Sequence, residues 1–127
     1  QFYSTVSGMK NRLINGSMLI DQRNSGALIT PANTQYTIDR WIAYSTQTSK
    51  FNTQQNLGAV TPPTGFSNYL GANSTSSYTV TTNDYFGLNQ WIEGNNVYDL
   101  AWGTANAKSV TLSFWCGCLD FVCSDSL

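Results

Sequence analysis

Trp91, with Asn89 and Glu93 on either side of it, is the group in this chain best suited to contact chemistry. In an extended strand alternate side chains share a face, so these three project together, opposite Leu88, Gln90 and Ile92. An exposed indole can stack on the apolar C–H face of a sugar ring, while an amide and a carboxylate beside it hydrogen-bond the hydroxyls. The same Trp would serve as a core or inter-subunit aromatic. Tyr98, Asp99 and Trp102 follow on a segment read as a loop, where binding residues concentrate. Of these, Tyr98 is the freer side chain, and Trp102 reads better as a plug at one end of the fold.

Other reactive types give weaker patterns. Asp39, Arg40 and Trp41 are consecutive; Asp39 and Arg40 would point to opposite faces of a strand, so each is expected to satisfy a different neighbour, with Trp41 in the core. Asp21, Asp39, Asp84, Glu93 and Asp99 could supply the two carboxyl groups that glycoside hydrolysis needs, but no spacing singles out a pair, and they read as scattered solvated acids. Cys116, Cys118 and Cys123 are the three cysteines; three thiolates without a histidine fall short of an ordinary structural zinc site. The chain has no histidine at all. That removes Ser-His-Asp and Cys-His triads and the commonest general base, so the expectation is a non-enzymatic protein. No cofactor is expected: no aspartate-rich loop of EF-hand type is present, which leaves carbonyl and Asp or Asn oxygens as the route to a structural calcium.

The elements that must position these residues are short strands. At 127 residues the chain is one domain, long enough to bury a core without staples. Only 10% of it is charged, against about 25% in ordinary domains; Asn, Gln, Ser, Thr and Gly carry the solubility instead, a surface associated with virion and extracellular proteins. Six basic residues lie singly from Lys10 to Lys108 for a net charge of −1, so no cluster exists to release counterions from a nucleic acid. No apolar run reaches the 18 or so residues of a membrane span. The first residues carry neither Met nor a secretion signal, which reads as a fragment or a processed form.

Alternation predicts a strand over 36–44, with Ile38, Arg40, Ile42 and Tyr44 on one face and Asp39, Trp41 and Ala43 on the other. Residues 51–55 follow as its hairpin partner, and 66–70, 77–82 and 85–94 are further candidates. Arg12 to Asp21 looks like two extended runs around an Asn15-Gly16 turn. Thr61-Pro62-Pro63-Thr64-Gly65 forbids regular structure. Residues 96–102 suit a single helical turn, with Val97, Leu100 and Ala101 at helical spacing. The cleanest strand is 109–115, with Val110, Leu112 and Phe114 facing in. About seven short strands between turn signals argue an all-β, jelly-roll β-sandwich.

Several motifs in order carry a resemblance. Asn11-Arg12-Leu13-Ile14-Asn15-Gly16, Gln22-Arg23 and Tyr36-Thr37-Ile38-Asp39-Arg40-Trp41 look like the start of a domain recurrent in bacteriophage tail-fibre and prophage structural proteins. Leu88-Asn89-Gln90-Trp91-Ile92-Glu93-Gly94, Leu100-Ala101-Trp102-Gly103-Thr104 and Ser109-Val110-Thr111-Leu112-Ser113-Phe114-Trp115 fit the same family in the same order. The set spans roughly residues 11–115 and, more distantly, is similar to carbohydrate-binding modules of the galactose-binding-like jelly roll. The resemblance implies a two-sheet sandwich in a virion or extracellular setting. Its partners would be other virion chains, further copies of itself and host surface glycans, with Trp91, Asn89, Glu93, Tyr98 and Trp102 as ligand-binding residues. The alternative is a carbohydrate-binding module of a secreted polysaccharide-degrading enzyme.

Residues 1–10 read as a lead-in, 11–115 as the N-terminal part of the jelly roll, and 116–127 as an atypical cysteine-containing tail. Domains of this kind continue for several strands beyond the position of Trp115, and the tail does not look like them. The expectation is therefore a truncated sandwich, through a changed reading frame or a variant end, with open sheet edges that other chains would cover.

Overall fold

The computed structural model describes residues 10–58 and 60–117, and they form an all-β, sandwich-like fold of two small antiparallel sheets. The lead-in before Lys10 and the tail beyond Gly117, with Cys118 and Cys123, lie outside the described residues. The first sheet has the order β1 (Gln35–Tyr36), β2 (Ile42–Ser45), β5 (Phe86–Asn89), and the second pairs β3 (Phe51–Gln55) with β4 (Leu70–Ser74). Among the described residues, helix is confined to two 3-10 turns, Gly94–Asn96 and Tyr98–Leu100. The turn expected over 96–102 is thus present in split form, and it buries Leu100. No helix among the described residues is long and apolar enough to cross a membrane.

The strand expected over 36–44 is a hairpin. Gln35 pairs with Ala43 and Tyr36 with Ile42, and the chain reverses between them. The Thr37 N–H donates to the Trp41 carbonyl at 2.9 Å and the Trp41 N–H to the Ile38 carbonyl at 3.1 Å. Arg40 takes a positive φ of 75° to close the turn. No Gly or Pro marks it; distant groups hold it instead, the Asn15 amide donating to the Asp39 carbonyl at 2.9 Å and the Gln22 N–H to the Asp39 carboxylate at 2.6 Å. Asp39 and Arg40 do satisfy different neighbours, but from a turn. Trp41 is half-buried rather than core, its ring N–H donating to the Asn15 carbonyl at 3.1 Å.

Two other pairings differ from the sequence reading. Residues 51–55 form β3 as expected, but β3 pairs with β4, Phe51 opposite Ser74 and Gln55 opposite Leu70. β2 takes β5 as its second neighbour, with Ile42 opposite Asn89 and Ser45 opposite Phe86. The Pro62-Pro63 segment is a long loop between β3 and β4, and the Tyr69 hydroxyl pins its start by donating to the Leu57 carbonyl at 2.9 Å. The run 77–82 makes no strand, and the run 85–94 is strand only over β5.

The larger correction concerns 109–115. It belongs to no sheet, and Val110, Leu112, Phe114 and Trp115 are 55, 69, 66 and 75% exposed. Alternation made the segment competent for a strand; within the described chain nothing pairs with it.

The buried apolar core is small: Ile38, Ile42, Ala43 and Leu100, with Thr37, Ser45 and Thr53 alongside. Consecutive burial of Ile42 and Ala43 means β2 is covered on both faces. An edge-to-face contact of Phe51 with Phe86, centroids 6.2 Å apart, joins the two sheets, in the geometry that aromatic quadrupoles favour.

Candidate functional site

Trp91 lies two residues past the end of β5, and continuing the β2–β5 register places it opposite Arg40. That juxtaposition builds the site. One Arg40 guanidinium nitrogen donates to the Trp91 carbonyl at 3.2 Å and to the Glu93 carboxylate at 2.5 Å. The Trp91 ring N–H donates to the Tyr44 hydroxyl at 3.3 Å. Held at its backbone and at its ring nitrogen, the indole is still 66% exposed, so its face is presented in a defined orientation. Glu93 also accepts from the Asn96 amide at 3.4 Å.

The hydrogen bond from Arg40, aided by Glu93's own backbone N–H, holds the Glu93 carboxyl below the usual carboxylate range. It therefore remains an anionic acceptor through neutral pH, with one guanidinium to balance it. Asn89 is exposed at the end of β5, two residues before Trp91.

Tyr98 and Trp102 belong to the next stretch. Tyr98 starts the second 3-10 turn and is 78% exposed. Trp102 is 54% exposed, and its ring N–H donates to the Lys108 carbonyl at 2.9 Å; it fastens a loop and does not plug the fold. Among the described residues no hydrogen bond or ring contact joins Tyr98 or Trp102 to Trp91. The structure therefore brings Trp91 and Glu93 together on Arg40, leaves Asn89 two residues ahead at the end of β5, and carries the other two aromatics separately.

Asp99, between them, makes a two-pronged ion pair with Arg12, both oxygens at 2.7 Å. The guanidinium lowers the Asp99 pKa to about 2. The Arg12 guanidinium also donates to the Asn96 carbonyl, so this pair ties the N-terminal segment to both 3-10 turns.

Arg40, Tyr44 and Asn96 were missing from the sequence-based site. The signal for the first two was available, since alternation set Arg40 and Tyr44 on one face; what sequence could not supply was the pairing of that face with Trp91.

The other acids are occupied locally. Asp21 accepts from the N–H groups of Asn24 and Gly26 at 3.1 and 2.7 Å. Asp84 accepts from the Thr81 N–H and hydroxyl and the Tyr78 hydroxyl, each at 2.8 Å, and from Gln47 and Thr46 at 3.0 and 2.8 Å. These bonds hold Asp84 far below the usual carboxylate range. Each of the five acids thus accepts hydrogen bonds from other residues of the chain, Glu93 while staying exposed. Among the described residues no three acidic or cysteine side chains converge where a metal ion could sit. Compared with family models, curated proteins and solved structures, the chain finds no significant match.

Proposed function

We propose that this chain is a non-catalytic structural and adhesion domain of a virion, of the tail-fibre kind, whose Trp91 face contacts glycans on a host surface. The observation that carries the reading is the tethered yet exposed indole of Trp91, with Glu93 held on the same Arg40 and Asn89 exposed two residues ahead. A sugar ring stacks its C–H face on the indole, and its hydroxyls donate to the Glu93 carboxylate and exchange hydrogen bonds with the Asn89 amide. A shallow platform of this size gives a weak single contact, and display of many copies on one particle sums such contacts into firm attachment. The chemistry needs no proton-shuttling group, in keeping with a chain that has no histidine.

A glycan array probed with the wild-type protein and with Trp91→Ala tests this. The wild type is expected to bind a defined subset of glycans and the variant to fall at least tenfold toward background. Equal background signals from both would leave a purely structural role.

A further inference from the structure

Among the described residues two features lack partners, and they are complementary. One is an open groove of about 660 Å³ between the sheets, with Phe51, Ala72, Tyr78, Val80, Phe86 and Leu88 among its walls. Its flanking strands β4 and β5 each pair on one side only among the described residues. The other is the segment 109–115, whose alternation sets Val110, Leu112 and Phe114 on one side and Ser109, Thr111 and Ser113 on the other. Its backbone makes no hydrogen bond among the described residues. The segment carries no charge, and Lys50 is the one charged residue in the groove wall. A strand-competent segment with unpaired amides and an apolar cleft with unpaired edges are the two halves that β-strand addition joins.

We propose that residues 109–115 insert as a strand into this groove on a second copy of the chain, with Val110, Leu112 and Phe114 entering between the sheets. The chain's own groove is the poorer target. In the single chain none of residues 109–115 is among the groove walls, and the Lys108 N–H holds the start of the segment to the Leu100 carbonyl at 2.8 Å. Insertion in the same chain has to carry the segment from that anchored start into the groove, whereas a second copy brings its groove to the segment where it lies. In a reciprocal exchange each copy gives one strand and one groove, so every pair makes two such contacts, and specific interfaces bury roughly 1,200–2,000 Å². This deepens the multivalent display proposed above by naming its contact, and it is tested by assembly state, independently of sugar binding.

Light scattering of the eluting full chain under reducing conditions, which exclude a Cys116-linked dimer, gives the test. The wild type is expected at a multiple of the single-chain mass. Leu112→Lys on the strand and Val80→Lys on the groove should each fall to the single-chain mass. Both positions are more than 60% exposed in the single chain, so an unchanged circular dichroism spectrum is expected. Thr111→Lys, on the opposite face of the same strand, should remain assembled. Hydrogen exchange should protect the amides of 110–114 in the wild type and not in Leu112→Lys. A wild type that stays single at every attainable concentration overturns the proposal, and if its 110–114 amides are nevertheless protected, the strand occupies the groove of its own chain. Assembly that survives Leu112→Lys, or that Thr111→Lys abolishes equally, overturns it as well.

Discussion

Side-chain amides do much of the fastening in this molecule. Gln90 accepts from the Ile14 N–H at 2.9 Å and donates to the Ile14 carbonyl at 2.7 Å, so its amide stands in for a strand neighbour's peptide group. Asn15 holds Ile20 at both N–H and carbonyl while reaching the Asp39 carbonyl, Asn33 accepts from the Ser45 N–H, and Gln55 donates to the Met18 carbonyl. The composition announced many amides, and solubility was the natural use to infer, because nothing local reveals which distant carbonyl an Asn or Gln will meet. The acids tell the same story, with a pH consequence. Asp99 titrates near 2 when folded, through Arg12, against 3.8 for the ordinary side chain, and Asp84 is depressed in the same direction by its hydroxyl, amide and backbone donors. A carboxylate whose folded pKa is lowered adds stability that is complete above its unfolded pKa and is lost as pH falls toward the folded one. The melting temperature should therefore hold steady from pH 7 to about 5 and fall between about pH 4 and pH 2. In Asp99→Asn that acid limb should be shallower. Thermal melts across the pH range check both statements.

At the scale of elements, period-2 alternation found strand-competent segments but not their neighbours. It placed β3 well, because that strand depends on its own pattern alone. It missed the reversal inside 36–44, since that turn is held by Asn15 and Gln22 rather than by its own Gly or Pro. It paired β3 with the wrong strand, because a long proline loop separates β3 from its true partner β4. β4 also carries a constraint that propensity does not show. A Cβ on Gly71 would lie 2.4 Å from the Leu57 Cβ and 3.2 Å from the Leu57 backbone. Gly71→Ala should accordingly cost about 1–3 kcal/mol, the usual range for overpacking. Measured in a Leu57→Gly background, where the opposing Cβ is gone, the cost should shrink; urea denaturation of the four proteins of that double-mutant cycle gives the comparison.

For the molecule as a whole, the sandwich-like, all-β class was legible from strand-favouring residues spaced by turn signals, while the size of the core was not. Four apolar side chains are buried among the described residues, and Leu19, Val80, Leu112, Phe114 and Trp115 are all more than half exposed. Counting aromatics along the chain overstated what one copy encloses, because the count cannot tell an inward residue from one that waits for another surface. The described residues contain two ion pairs, Arg12–Asp99 and Arg40–Glu93, both partly exposed. Exposed pairs contribute little and are screened by salt. The melting temperature at neutral pH should therefore change by no more than a few degrees between low and high sodium chloride.

The reciprocal clasp of Gln90 on Ile14 gives that indifference a setting. Neutral dipoles at contact distance do not feel the ionic atmosphere as separated charges do. A body laced by such clasps keeps its shape when carried from fresh water to brine, and among the described residues salt is felt at the two ion pairs, Arg12–Asp99 and the Arg40–Glu93 couple that frames Trp91. Changing salinity would then loosen these two contacts while leaving the frame alone.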